Sequence, residues 1–81
     1  MRIEVTAEDI KNGVFTDCRS CPVALALDRH TGDWWSVGTS TATRIETGAR
    51  FLLPPSACRW IHNFDCGDPV EPFSFELEGL N

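Results

Sequence analysis

Short stretches of the chain carry the hydrophobic pattern of β-strands. Near its end, Phe73, Phe75 and Leu77 alternate with polar residues, which predicts a half-buried strand because successive side chains of a strand point to opposite faces. The segment RIEV at 2–5 predicts a short first strand. Two or three antiparallel strands are predicted where segments rich in β-branched and aromatic residues are separated by glycines: 34–38, 41–47 and 49–54.

Helical signals surround the segment CPVALALDRHTG. Pro22 suits a first helical turn, where a missing N–H costs nothing, and Ser20 or Cys21 would then be the N-cap. Gly32 suits the position just past a helix end, because glycine adopts left-handed backbone angles easily. We therefore expect a helix over roughly residues 21–30.

Two other segments are predicted to be helical. Thr6 begins a capping-box pattern, TAED, and Gly13 ends this short turn. Farther along, PPS introduces a second main helix with Ser56 as its N-cap, and Gly67 lies just past its end. Its apolar positions follow helical spacing: Ala57, Trp60, Ile61 and Phe64.

These elements predict the α+β class. We expect one compact domain over residues 1–81, with an antiparallel sheet of about four strands and two main helices on one face. A chain of this length buries a modest core, so a metal, a disulfide or a partner subunit would add useful stability.

The acidic balance of the chain limits its partners. Its formal net charge is −5, which argues against binding to DNA or RNA backbones. The longest apolar run, 22–27, is too short to cross a bilayer and no signal peptide precedes it, so we expect a soluble cytoplasmic protein. Six of the seven basic residues are arginine, which suits phosphate recognition, although a GC-rich gene, which favours arginine codons, is the better explanation.

The cysteines suggest a structural zinc site or a helix start. Cys18 and Cys21 have the spacing of a thiolate pair at a helix N-terminus, and Cys58 and His62 share one face of the second main helix. These four residues would form a tetrahedral Cys3His set, with Cys66 as a substitute for Cys58. A single CxxC is a weak metal signal and free cysteine is often simply buried, so the first role of Cys21 is predicted to be that of a helix start.

The segment RWIHNFDCGD carries most of the remaining polar chemistry. His62 and Asp65 could orient each other as an acid–base pair, or they could simply lie on a solvated helix face. No nucleophile elbow, HExxH motif or glycine-rich phosphate loop accompanies them. We therefore expect a protein that is not an enzyme.

The adjacent tryptophans of GDWWSVGT point to a binding surface. Because neighbouring strand residues face opposite ways, one of Trp34 and Trp35 should enter the core and the other should not. An exposed indole can stack on a base or anchor a partner. Arg44 and Arg50, on neighbouring strands, could supply the cation for a phosphate. Alternatively, a helix or a second subunit covers the outer tryptophan.

Three segments resemble a group of small, uncharacterised proteins of tailed bacteriophages. They are VTAEDIKNG at 5–13, CPVALALDR at 21–29 and IHNFDCGDPVEPFSFEL at 61–77. The group shares an early V-T-x-E-D-I-x-x-G, a C-P-[IV]-A-L-A helix and a late F-D-x-G-x-x-V-x-P-F-x-F. The resemblance carries no established activity, includes only the second cysteine of the CxxC pair, and does not extend to the two tryptophans.

What the resemblance implies is an accessory protein acting in the host cytoplasm. By analogy of source and size, we expect a counter-defence sponge that sequesters a nucleotide-derived immune signal, of the ADP-ribose or cyclic nucleotide type, in a pocket between the subunits of a homo-oligomer. The alternatives are a module that inhibits a host protein and a small zinc-stabilised accessory domain. No cofactor other than this possible zinc is expected. The candidate ligand-binding residues are Trp34, Trp35, Arg44, Arg50, Arg59, Trp60, His62 and Asp65.

Overall fold

The computed structural model describes residues 1–79 and confirms the α+β class. Along this part of the chain the secondary-structure elements are, in order: β1 (Arg2–Val5), α1 (Ala7–Asn12), α2 (Pro22–Thr31), β2 (Trp35–Val37), β3 (Thr41–Arg44), β4 (Arg50–Leu52), α3 (Pro55–Asp65) and β5 (Phe73–Glu76). Each predicted strand and helix is present, with its ends moved by a few residues.

The strands form two antiparallel sheets instead of the single sheet that the sequence predicts. β1 pairs with β5, so that Ile3 lies opposite Phe75, and β2, β3 and β4 form a separate meander in which Ala42 lies opposite Phe51. The two sheets remain separate because α2 packs against both β1 and β2. A helix that occupies the space beside both strands prevents their pairing.

Local backbone chemistry places both ends of α2 as predicted. Cys21 is the N-cap, and its Sγ accepts a hydrogen bond from the Ala24 N–H at 3.4 Å. Gly32 ends the helix in the left-handed conformation, with φ of 77°, and its N–H donates to the Asp28 carbonyl at 2.8 Å. Such a conformation favours glycine because a side chain would crowd the following carbonyl.

The short helix α1 is anchored to α2 by an ion pair. Thr6 and Asp9 form the predicted capping box, in which each side chain accepts a hydrogen bond from the other residue's N–H. The buried Asp9 carboxylate also accepts a hydrogen bond from Arg29 at 2.7 Å. This bond compensates the removal of a carboxylate from water, since buried charges are stable only when paired.

Helix α3 begins earlier than the sequence predicts. Pro54 is its N-cap and makes no side-chain capping bond, so the prediction that Ser56 caps this helix is wrong. Pro55 occupies the first turn, where its fixed φ is already helical and its missing N–H needs no partner. The helix turns Ala57, Ile61 and Phe64 inward, as its apolar spacing predicts.

Both sheets and both main helices contribute to one hydrophobic core. Trp35 and Leu27 are among its largest fully buried side chains, together with Ile3 and Val23. None of the helices formed by residues 1–79 has the length and the apolar character needed to span a bilayer.

Candidate functional site

The two adjacent tryptophans point to opposite sides of the chain at the start of β2. Trp34 is 66% exposed, whereas Trp35 is 0% exposed, which confirms that only one of the two rings enters the core. The Trp35 indole donates to Thr31 Oγ1 at 2.8 Å, and its backbone N–H donates to Asp28 Oδ1 at 2.9 Å. Burial raises the pKa of the Asp28 carboxyl, against the effect of this hydrogen bond. Trp35 is therefore a core residue and not an accessible stacking group.

Trp34 forms an open surface depression with three other residues. Its carbonyl accepts a hydrogen bond from the Ile45 N–H at 3.0 Å, which places two exposed apolar side chains together at the β2–β3 hairpin. The Arg19 guanidinium carbon lies 5.4 Å from the Trp34 ring centroid, within cation–π range. With Glu46 these residues line a depression of about 400 Å³. We refer to Arg19, Trp34, Ile45 and Glu46 as the Trp34 patch.

The arginine beside the exposed Trp34 is Arg19, and not one of the strand arginines that the sequence suggested. Arg44 instead lies over the buried Trp35 ring, with its guanidinium carbon 5.2 Å from the centroid. Its Nε is 3.1 Å from Asp33 Oδ2, which forms an ion pair without the alignment of a hydrogen bond. The Arg44 charge is therefore balanced within the chain.

The other two candidate arginines lie on different surfaces. Arg50 is exposed at the start of β4 and lines a groove between β4 and β5. Arg59 is exposed on α3, and neither residue lines the Trp34 patch.

Trp60 belongs to a stack of aromatic rings that the sequence did not indicate. Its indole Nε1 donates to the Glu71 carbonyl at 2.8 Å. Neighbouring ring centroids in the stack are 4.6 to 5.8 Å apart. The rings come from the loop before α2, from α3 and from β5, so spacing within one element could not reveal the order of the whole stack: Phe15, Phe64, Trp60, Phe73 and Phe75.

His62 and Asp65 do not orient each other. His62 Nε2 lies 3.6 Å from the Cys66 Sγ, and Asp65 Oδ1 accepts a hydrogen bond from the Thr16 N–H at 3.0 Å. This hydrogen bond holds Thr16, whose φ is 56°, in the left-handed region. Asp65 therefore stabilises the loop before α2, whereas His62 remains exposed at the end of α3.

The four residues of the predicted zinc set do not converge. Cys21 is buried at the start of α2, and burial raises the pKa of its thiol. The Cys58 thiol points to the Leu53 carbonyl at 3.7 Å, while His62 contacts Cys66. Residues 1–79 contain no cluster of three or more potential metal-ligating side chains of the His, Cys, Asp and Glu types. The role of Cys21 as a helix start is what the structure supports, and Cys18 is exposed in the preceding loop.

No protein family, curated protein or solved structure matches this chain. The resemblance to tailed-bacteriophage proteins therefore stays a prediction. The Trp34 patch combines an exposed indole, a second apolar side chain and one charge of each sign.

Proposed function

We propose that the protein is a non-enzymatic binding module that recognises another protein through the Trp34 patch. The exposure of Trp34 beside Ile45 carries this proposal, because a hydrated indole in a small protein is a cost that partner binding would remove. Tryptophan and arginine are also the residues most enriched where binding energy concentrates in protein interfaces. The resemblance to phage proteins favours a host protein as the partner and the host cytoplasm as the place of action.

The surroundings of Trp34 fit a protein partner. Arg19 and Glu46 place one charge of each sign at the border of the apolar surface of Trp34 and Ile45. An apolar centre with a polar border is the usual organisation of a protein interface. Charges of both signs at the border would select the orientation of a partner more than its affinity.

The nucleotide sponge is the second candidate. Its predicted residues lie on separate surfaces of one chain, with Trp35 buried and Trp60 within the aromatic stack. One observation favours it: Arg19 and the exposed Trp34 ring offer a cation and a stacking surface 5.4 Å apart. A second subunit would have to supply the rest of such a pocket.

The proposal predicts that Trp34→Ala abolishes capture of one dominant protein from a lysate of host cells. Once that partner is purified, calorimetry should show binding weakened by about thirtyfold, on the order of 2 kcal/mol. Leu52→Ala is the matched control, since Leu52 is 80% exposed but lies on β4, outside the Trp34 patch. The control variant should bind like the wild type.

Two results would contradict the proposal. Equal binding of the partner by wild type and Trp34→Ala would exclude the Trp34 patch as the interface. Native mass spectrometry that showed an oligomer retaining a nucleotide of a few hundred daltons, with no protein partner captured, would favour the sponge instead.

A further inference from the structure

The outer edge of β1 is closed by side chains of α2. Met1 and Leu77 exchange both backbone hydrogen bonds, so alternate residues of β1, including Glu4, direct their N–H and C=O groups away from β5. The Glu4 N–H donates to His30 Nε2 at 3.0 Å, and the Glu4 carbonyl accepts from Arg29 at 2.9 Å. Two α2 side chains thus take the place of a neighbouring strand.

The outer edge of β2 is closed by α2 and the loop before it. The register of the β2–β3 hairpin turns the backbone groups of Trp35 and Val37 away from β3. The Trp35 N–H donates to Asp28 Oδ1 at 2.9 Å, and the Val37 N–H donates to the Cys18 carbonyl at 2.8 Å. On the strand edges that face α2, the outward N–H groups of Glu4, Trp35 and Val37 therefore have partners.

The outer edge of β4, unlike those of β1 and β2, is open. Arg44 and Leu53 each donate to residues directly opposite them across the β3–β4 hairpin. Along two antiparallel strands, residue pairs that exchange hydrogen bonds alternate with pairs that do not. Arg50 and Leu52 belong to the second kind, so they direct their N–H and C=O groups away from β3. Among the described residues, none forms a hydrogen bond with these outward groups.

The outer edge of β5 is open in the same way. Its register with β1 turns the backbone groups of Ser74 and Glu76 outward, and within residues 1–79 they also have no hydrogen-bond partner. Residues of β4 and the end of β5 line one open groove of about 640 Å³. Phe51 and Phe75, which are largely turned inward, lie along this groove.

We propose that this groove accepts an extended segment of a partner protein as an additional β-strand between β4 and β5. An inserted backbone would satisfy the outward groups of both edges at once, as in peptide recognition by strand addition. Because β4 has 3 residues and β5 has 4, we expect a segment of about five residues, or roughly 17 Å at the rise of a β-strand. The groove is a second surface, separate from the Trp34 patch, so this inference does not depend on the proposed function.

The side chains along the groove indicate the sequence of the segment. Alternate residues would face inward against Phe51 and Phe75 and should be apolar. The residues between them would face outward near Arg50, Glu76 and Glu78, which carry a net charge of −1 (one positive and two negative). A segment that alternates apolar and basic residues therefore fits best. The net charge of −5 also disfavours a second copy of the chain as the occupant.

The probe for this proposal is a pool of acetylated peptide amides of about five residues, with Val, Ile, Leu or Phe at odd positions and Lys at even positions. In nitrogen–proton correlation spectra, the pool at about 1 mM should shift the amide signals of four residues: Arg50, Leu52, Ser74 and Glu76. The same amides should exchange with solvent rapidly in the free protein and at least about tenfold more slowly with the pool present.

Two controls separate strand addition from other binding. Leu52→Pro removes an outward donor without removing a hydrogen bond to β3. It should therefore weaken peptide binding at least about tenfold relative to Leu52→Ala, which shortens the same side chain but keeps the donor. Peptides N-methylated at the central residue should not bind the wild-type protein, a test that needs no variant. Trp34→Ala should bind the pool normally, which distinguishes this groove from the Trp34 patch.

Several results would overturn the proposal. One is the absence of amide shifts with the pool, and another is equal binding of N-methylated peptides. Slow exchange of the four amides in the free protein would show that the edges are already occupied. Equal binding of a pool with Glu in place of Lys would refute the basic preference. Amide shifts that grow with protein concentration alone, with dimers in sedimentation equilibrium, would identify a second copy as the occupant.

Discussion

Cys21 shows how one side chain can carry a signal for two functions. Its CxxC spacing is typical of a metal ligand, yet its sulfur accepts a hydrogen bond from the Ala24 N–H and closes the first turn of α2. Burial raises the pKa of this thiol, which keeps it protonated at neutral pH. A protonated thiol is a poor nucleophile, so burial at the N-cap lowers the reactivity of Cys21.

The burial of Cys21 predicts that alkylating reagents label the cysteines of the folded protein selectively. Iodoacetamide should alkylate the exposed Cys18 and Cys66 of the folded protein rapidly, and Cys21 at least about tenfold more slowly. Peptide mapping by mass spectrometry would measure the three rates. After unfolding in guanidinium, the sites should react at similar rates. Rapid labelling of Cys21 in the folded protein would contradict its role as a buried N-cap.

Among the elements, α2 has the clearest beginning and end. Its N-cap, its first-turn proline and its left-handed terminal glycine are all determined by residues within one turn of the helix ends. These ends also set which side chains of α2 face β1 and β2, and hence which strand edges are closed. The strand edges that α2 does not reach are those of the groove between β4 and β5.

We expect Gly32→Ala to destabilise the protein by about 1–2 kcal/mol, because an L-residue at φ of 77° crowds its own backbone. Gly38→Ala is the matched control: Gly38 has no positive φ, and an added Cβ would meet only ordinary contacts of 3.7 Å or more. Urea denaturation would give both free energies of unfolding. Equal effects of the two substitutions would show that the left-handed cap is unimportant.

In the molecule as a whole, α2 unites two sheets that share no strand. It packs against β1 of one sheet and β2 of the other, and its Leu27 side chain is 0% exposed. Loss of packing there would affect both sheets together. The two sheets should therefore unfold in one cooperative transition, as is usual for small domains.

Leu27→Ala should accordingly lower the free energy of unfolding by about 2–5 kcal/mol, through lost burial and the cavity left behind. Leu52→Ala makes the same chemical change at a side chain that is 80% exposed, and it should change stability by less than about 0.5 kcal/mol. The indole N–H signal of Trp35 would follow one sheet, and the Ile3 amide signal would follow the other, both in nitrogen–proton correlation spectra. Separate transitions for the two probes would refute the single cooperative unit.

The candidate site was only partly visible in the sequence. The WW pair predicted one exposed and one buried ring, because alternation along a strand is a local property. The partners of Trp34 could not be predicted in the same way: Arg19 comes from the loop before α2, and Ile45 meets Trp34 only through the register of a hairpin. Arg44, expected to supply a cation beside the exposed tryptophan, lies instead over the buried Trp35 ring.

The sequence by itself determined the class of fold, the order of the elements and their approximate ends, because caps, prolines and glycines act on the backbone within a few residues. Only the tertiary structure decided that β1 pairs with β5, that the strands divide into two sheets, and which strand edges remain open. Those outcomes depend on contacts between segments far apart in the chain. They also decide which side chains reach the surface together, and so where the protein can bind a partner.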